Sequence, residues 1–197
     1  MRNFDYQRLV IAYHGCDVSV RDKVILHGGK LDRSQNDYDW LGHGIYFWEH
    51  GPERALEWAE QQRKRGRIKK AAVLGAVLHL GQCFDLLDAG YPEVLEASFS
   101  EFSDSLKKAG KTIPENEPVH ARDSDKILRK LDCAAINWNI ERLEAQYATK
   151  FHSVRGVFQE GCAVFPGSEI RRRSHIQIAV REPACVLGYF LPSSGEK

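Results

Sequence analysis

The chain has 197 residues, room for one domain of ordinary size. Hydrophobic residues make up 43% and aromatic residues 10%, enough apolar surface for a core, which excludes a wholly disordered chain. Lys plus Arg number 28 against 27 Asp plus Glu, a net charge of +1 that argues against a protein held to nucleic acid by its overall field.

No apolar run reaches the roughly 18–20 residues of a membrane span. The longest, Ala71 to Leu80, is interrupted by Gly75 and His79. The opening residues, MRNFDYQRLVIAYHG, lack the pattern of a secretory signal. Five cysteines stand far apart with no CxxC pair, as reduced thiols would in a cytosolic protein without structural zinc. The expectation is a cytoplasmic protein with no membrane segment.

Taken in order, Leu9 to Tyr13 reads as a short buried strand running into a turn at His14-Gly15-Cys16. Val18 to His27 is a helix by the spacing of Val20, Val24 and Ile25, stopped by Gly28-Gly29. A polar loop leads to Gly42-His43-Gly44 and an aromatic strand, Ile45-Tyr46-Phe47-Trp48. Gly51-Pro52-Glu53 opens the clearest helix, with Ala55, Leu56, Trp58 and Ala59 on its apolar side. It runs into Arg63 to Lys70, where six of eight residues are basic.

Ala71 to Leu80 and Cys83 to Leu87 look like two strands around a Gly81-Gln82 turn. The middle is helical by period, first through Val94, Leu95, Phe99, Phe102 and Leu106. After a break at Gly110 to Pro118 the period resumes through Ile127, Leu128, Leu131, Ala135, Trp138 and Leu143. Strand character returns at Val154 to Phe158, His175 to Val180 and Cys185 to Phe190. Strands, a helical middle at about 91–147, then strands again predict one α+β domain over 1–197 with a largely antiparallel sheet.

The phosphate-loop, dinucleotide-fold and nucleophile-elbow patterns are all missing. His43 and His50 form a pair without a third ligand, so no metal site is expected. Each remaining unusual residue has a bland reading. His14 suits a core histidine satisfied by a carbonyl. Tyr46, Phe47 and Trp48 suit a half-buried strand, Trp58 a packed helix face, and Gln177 an ordinary strand position.

Together, His14-Gly15, Gly44-Ile45-Tyr46-Phe47 and the late strand opening at Gln177 resemble the ADP-ribosyltransferase fold of the diphtheria-toxin and poly(ADP-ribose)-polymerase clan, especially its small bacterial members. The late match extends over Gln177-Ile178-Ala179-Val180 and on to Tyr189-Phe190-Leu191. The resemblance covers about half the chain and leaves the middle out.

The resemblance implies an NAD-dependent mono-ADP-ribosyltransferase that releases nicotinamide and modifies a macromolecular acceptor, a protein rather than a nucleic acid. It implies that His14 and Gly15 hold NAD, that Tyr46 and Trp58 wall the nicotinamide, and that Tyr46 and Gln177 belong to the catalytic set. The clan has a glutamate where this chain has Gln177, so chain elongation is not expected. The alternatives are an NAD glycohydrolase or an inactive module that binds NAD or a partner. Toxins are among the roles such a transferase fills, and an antitoxin or regulator is then a further partner.

Three other features are candidates at this stage. Glu49 and Glu160 could substitute for the missing carboxylate, and Arg171-Arg172-Arg173 could clamp the NAD pyrophosphate. The basic run Arg63 to Lys70 reads as a solvated helix end, with docking of nucleic acid or of an acidic protein as the functional alternative, a patch that Arg171 to Arg173 could join.

Overall fold

The structure, a computed structural model, describes residues 8–119 and 125–193. The strands are β1 (Leu9–Asp17), β2 (Ile45–Glu49), β3 (Ala71–His79), β4 (Cys83–Asp85), β5 (Asn116–Glu117), β6 (Leu128–Arg129), β7 (Ser153–Phe158), β8 (His175–Val180) and β9 (Val186–Phe190). The helices are α1 (Val18–His27), α2 (Pro52–Lys64), α3 (Gly90–Lys108) and α4 (Lys130–Tyr147). A single turn of tighter helix, Pro183–Cys185, precedes β9.

The fold is α+β. Seven strands form a sheet in the order β4-β7-β8-β2-β1-β3-β9, antiparallel throughout except for β4 beside β7. The sheet is narrow at its middle, because β1 and β2 pair only through Ala12↔Glu49 and Tyr13↔Trp48. Alternation along the strands separates its two faces. Val10, Ala12, Ile45, Phe47, Leu74, Leu78, Ile178 and Val180 bury one face in a common core, into which α1 adds Val24. Both halves of the sheet contribute to this core, so they close on each other across the narrow join.

The other face is covered at its two ends only. α2 lies over β1 and packs so closely that a Cβ on Gly15 would stand 2.1 Å from the Ala55 carbonyl oxygen. α4 sets Ile136, Ile140 and Leu143 against Phe84, Val154 and Ala179, and α3 packs on α4. Between the two helices the stretch of sheet formed by β2 and the start of β8 is left open. Covering both ends and not the centre is what makes the cleft.

Several expectations need correction. β1 continues through His14 and Gly15 to Asp17, because nine residues pair with β3 from Leu9↔His79 to Asp17↔Ala71. Asp17 then caps α1 by accepting from the Ser19 N–H at 2.9 Å, and it also accepts from the N–H groups of Lys69 and Lys70.

β3 and β4 are not a hairpin. Their hydrogen-bonding partners lie in different halves of the sheet, so Gly81-Gln82 marks a change of half. The helical middle is two helices with a two-stranded piece between them, and Ile127 and Leu128 precede α4 rather than belonging to it. Asn116 crosses over to cap α4, its Oδ1 accepting from the Leu131 N–H at 3.0 Å. Among the described residues no helix is long and apolar enough to cross a membrane.

Candidate functional site

The open stretch of sheet forms the floor of a cleft of about 740 Å³. Tyr46 and Trp48 of β2, with His175 and Gln177 of β8, line that floor. Arg54, Trp58 and Gln61 of α2, with Arg65 at its C-cap, give one wall, at intervals that bring them to one side of the helix. Trp40 and its loop neighbours stand opposite, and Ile127 and Leu128 reach in from the middle segment.

All five residues singled out in the sequence, His14, Gly15, Tyr46, Trp58 and Gln177, line this one cleft. They come from four elements, β1, β2, α2 and β8.

His14 sits where β1 and β2 part. Its Nδ1–H donates to the Tyr46 carbonyl at 2.7 Å, a ring nitrogen taking over where the ladder ends. A carbonyl can only accept, so Nδ1 carries the proton and Nε2 keeps its lone pair. Burial pushes the His14 pKa below the ordinary histidine value, which favours that neutral form.

Gly15 meets a packing requirement that its place in the sequence did not reveal. The space a side chain would take is filled by the Ala55 carbonyl and the Trp58 ring, so the glycine is needed by helix packing.

The Tyr46 ring faces the cleft, but its hydroxyl is fully engaged. It donates to the Gly42 carbonyl at 2.8 Å and accepts from the Leu41 N–H at 2.9 Å. Burial, then the Asp39 charge, holds its pKa well above the usual tyrosine value. Tyr46 therefore fastens the loop that carries Trp40.

Trp40 has no local signal in the sequence, and it is central here. Its Nε1–H donates to the Gln177 Oε1 at 2.6 Å, across 137 positions of chain. Gly156, level with Gln177 on β7, makes room for it, since a Cβ there would lie 2.7 Å from the indole. Tryptophan and glycine together orient the amide of Gln177.

Trp58 is 38% exposed and tilts against Trp48, with ring centres 5.9 Å apart. Trp48 continues to His175 at 6.3 Å, His175 to Phe158 at 5.5 Å, and Phe158 to Trp40 at 5.1 Å. An arc of aromatic rings thus surrounds the Gln177 end, suited to a flat ligand.

The two substitute carboxylates part company. Glu49 lies on the core face, where both its oxygens accept from Arg155 at 2.6 and 2.9 Å. Glu160 does line the cleft, but Arg54 donates to one oxygen at 3.1 Å and Arg173 to the other at 3.2 Å.

Arg171 and Arg172 do not line the cleft and nor does Arg173; the arginines that do are Arg54, Arg65 and Arg67. The run Arg63 to Lys70 therefore combines an exposed helix end with three cleft residues, Arg65, Arg67 and Ile68. Among the described residues no cluster of three or more His, Cys, Asp or Glu side chains is arranged to hold a metal ion. His43 instead uses its backbone N–H, which donates to Asn137.

Comparison of the chain with family models, with curated proteins and with solved structures gave no match.

Proposed function

We propose that the cleft binds NAD and that the chain transfers a single ADP-ribose to a macromolecular acceptor, releasing nicotinamide. The observation that carries this reading is the convergence of His14, Gly15, Tyr46, Trp58 and Gln177 on one cleft, from elements distant in the chain. A volume of about 740 Å³ falls within the range of small-molecule sites.

The roles follow from the chemistry of each group. The His14 Nε2 accepts from a hydroxyl of the adenosine ribose. Trp48 and Trp58 present apolar, electron-rich rings to the cationic nicotinamide. Arg65 and Arg67 supply positive charge to the pyrophosphate.

Gln177 keeps an N–H₂ and one lone pair for a ribose hydroxyl while Trp40 holds its oxygen. A neutral amide stabilises a developing cation less than a carboxylate does, which is consistent with one transfer rather than polymer growth. A second reading, an NAD-binding module without turnover, is favoured by that same Trp40–Gln177 bond, which occupies the polar tip nearest the reacting centre.

The test is purified protein with isotope-labelled NAD, followed for free nicotinamide and for label on macromolecules. Release with labelled macromolecule supports transfer, and release without label makes water the acceptor. Saturable binding without release supports the second reading, and absence of binding removes both.

A further inference from the structure

We infer that His175 is the general base of this cleft, taking the proton of the acceptor that attacks the nicotinamide-bearing ribose. The inference rests on the NAD-cleaving reading above.

His175 and Gln177 are two residues apart on β8 and point to the same face, about 7 Å apart along the strand. Both line the cleft. The His175 Nδ1–H donates to the Arg173 carbonyl at 2.6 Å, which leaves the lone pair on Nε2. Nε2 is buried and has no hydrogen-bond partner among the described residues. Packing between Phe158 and Trp48 fixes the ring.

A second unsatisfied group stands in the same wall. The Trp48 Nε1–H is also buried and without a partner there, although Trp48 is only 4% exposed. Buried polar atoms are nearly always paired, so an unmatched donor and an unmatched acceptor on two rings 6.3 Å apart in one cleft wall point to a polar ligand group.

The surrounding groups suit a base. Arg54 and Glu57 face His175 from α2, and Glu160 and Arg173 flank it on the β7–β8 connection. Burial, aided by the Arg54 charge, holds its pKa below the ordinary histidine value, so the ring is neutral and ready to accept. Once protonated, the imidazolium has Glu160 nearby. The two groups nearest to it are poor bases: Gln177 is an amide, and Glu160 already accepts from two arginines.

The step balances. The bond from C1′ to the nicotinamide nitrogen breaks, and its electron pair stays on that nitrogen, so nicotinamide leaves neutral. An oxygen, nitrogen or sulfur nucleophile bonds to C1′. Its proton goes to the His175 Nε2 and from there to solvent.

The experiment measures nicotinamide release from NAD by the full chain, with water as acceptor, in wild type, His175→Ala and His175→Gln. Tryptophan fluorescence follows NAD affinity in the same samples. Turnover is expected to fall roughly 100-fold in both variants, well beyond any fall in NAD affinity. The acid limb of the wild-type pH–rate profile should vanish, and added imidazole should restore rate to His175→Ala.

Both variants turning over like wild type, with the acid limb intact, would overturn the assignment and leave the NAD-cleaving reading standing. Failure of that reading shows instead in the wild type, as no nicotinamide released. If circular dichroism shows His175→Ala unfolded, His175→Gln carries the comparison.

Discussion

Two arginine–carboxylate clusters flank strands β7 and β8, one on each face of the sheet. On the core face, Arg155 donates from all three of its nitrogens, to both oxygens of Glu49 and to Asp85 at 3.1 Å. On the cleft face, Arg54 reaches Glu57 and Glu160, while its own Nε–H, the Trp48 Nε1–H and the His175 Nε2 are buried and unmatched. The first cluster is closed and the second is unfinished. A closed cluster has no capacity left for a ligand, whereas an unfinished one in a cleft wall has donors and an acceptor to offer.

The largest expected effect breaks the closed cluster. Arg155→Met leaves Glu49 without its cation and Asp85 with Arg8 alone, at 3.9 Å, and should cost about 3–5 kcal/mol in urea unfolding. NAD affinity of the molecules that remain folded should be unchanged. A small loss would mean that the core face is as loosely coupled as the cleft face.

Gly156→Ala comes next, because its Cβ would drive into the Trp40 indole. Overpacking of this kind should cost about 1–3 kcal/mol. It should also weaken NAD binding by unseating Trp40 from Gln177. Loss of stability with unchanged binding would separate Trp40 from the site.

Arg54→Met tests the unfinished cluster. Glu160 keeps Arg173 as a partner, so the expected loss is smaller, about 1–2 kcal/mol. NAD titration of the same variant should show altered affinity, which Arg155→Met should not.

The smallest effect is one of pH. His14 and His175 are both held below the histidine value of 6.5 by burial, so the unfolded chain binds protons that the folded chain refuses. Their contribution is complete above that value and is lost as pH falls below it. Melting temperature across a descending pH series should show the decline, and His14→Asn should flatten part of it.

What the sequence conveyed follows the same division between local and assembled features. Alternation made β2 legible, with Ile45 and Phe47 to the core and Tyr46 and Trp48 to the cleft. Period and glycine stops made α1, α2 and the main helical spans legible too. The routing of β3 into β4 was not, because a Gly-Gln turn has the same local chemistry whether the chain doubles back or crosses between halves of a sheet.

At the site, residues inside short motifs stood out, while Trp40, Arg54 and His175 did not. Trp40 acquires its role only through Gln177 and Gly156, which lie far away in the chain. Gly15 was noticed for its place beside His14, but the physical need for it comes from the Ala55 carbonyl.

The account stands most directly on NAD titration of the wild type and His14→Ala, followed by tryptophan fluorescence. Three of the four tryptophans, Trp40, Trp48 and Trp58, line the cleft. The prediction is a saturable change in the wild type, with binding weakened roughly tenfold in His14→Ala for one lost hydrogen bond. No saturable change, or the same curve in both proteins, would contradict it.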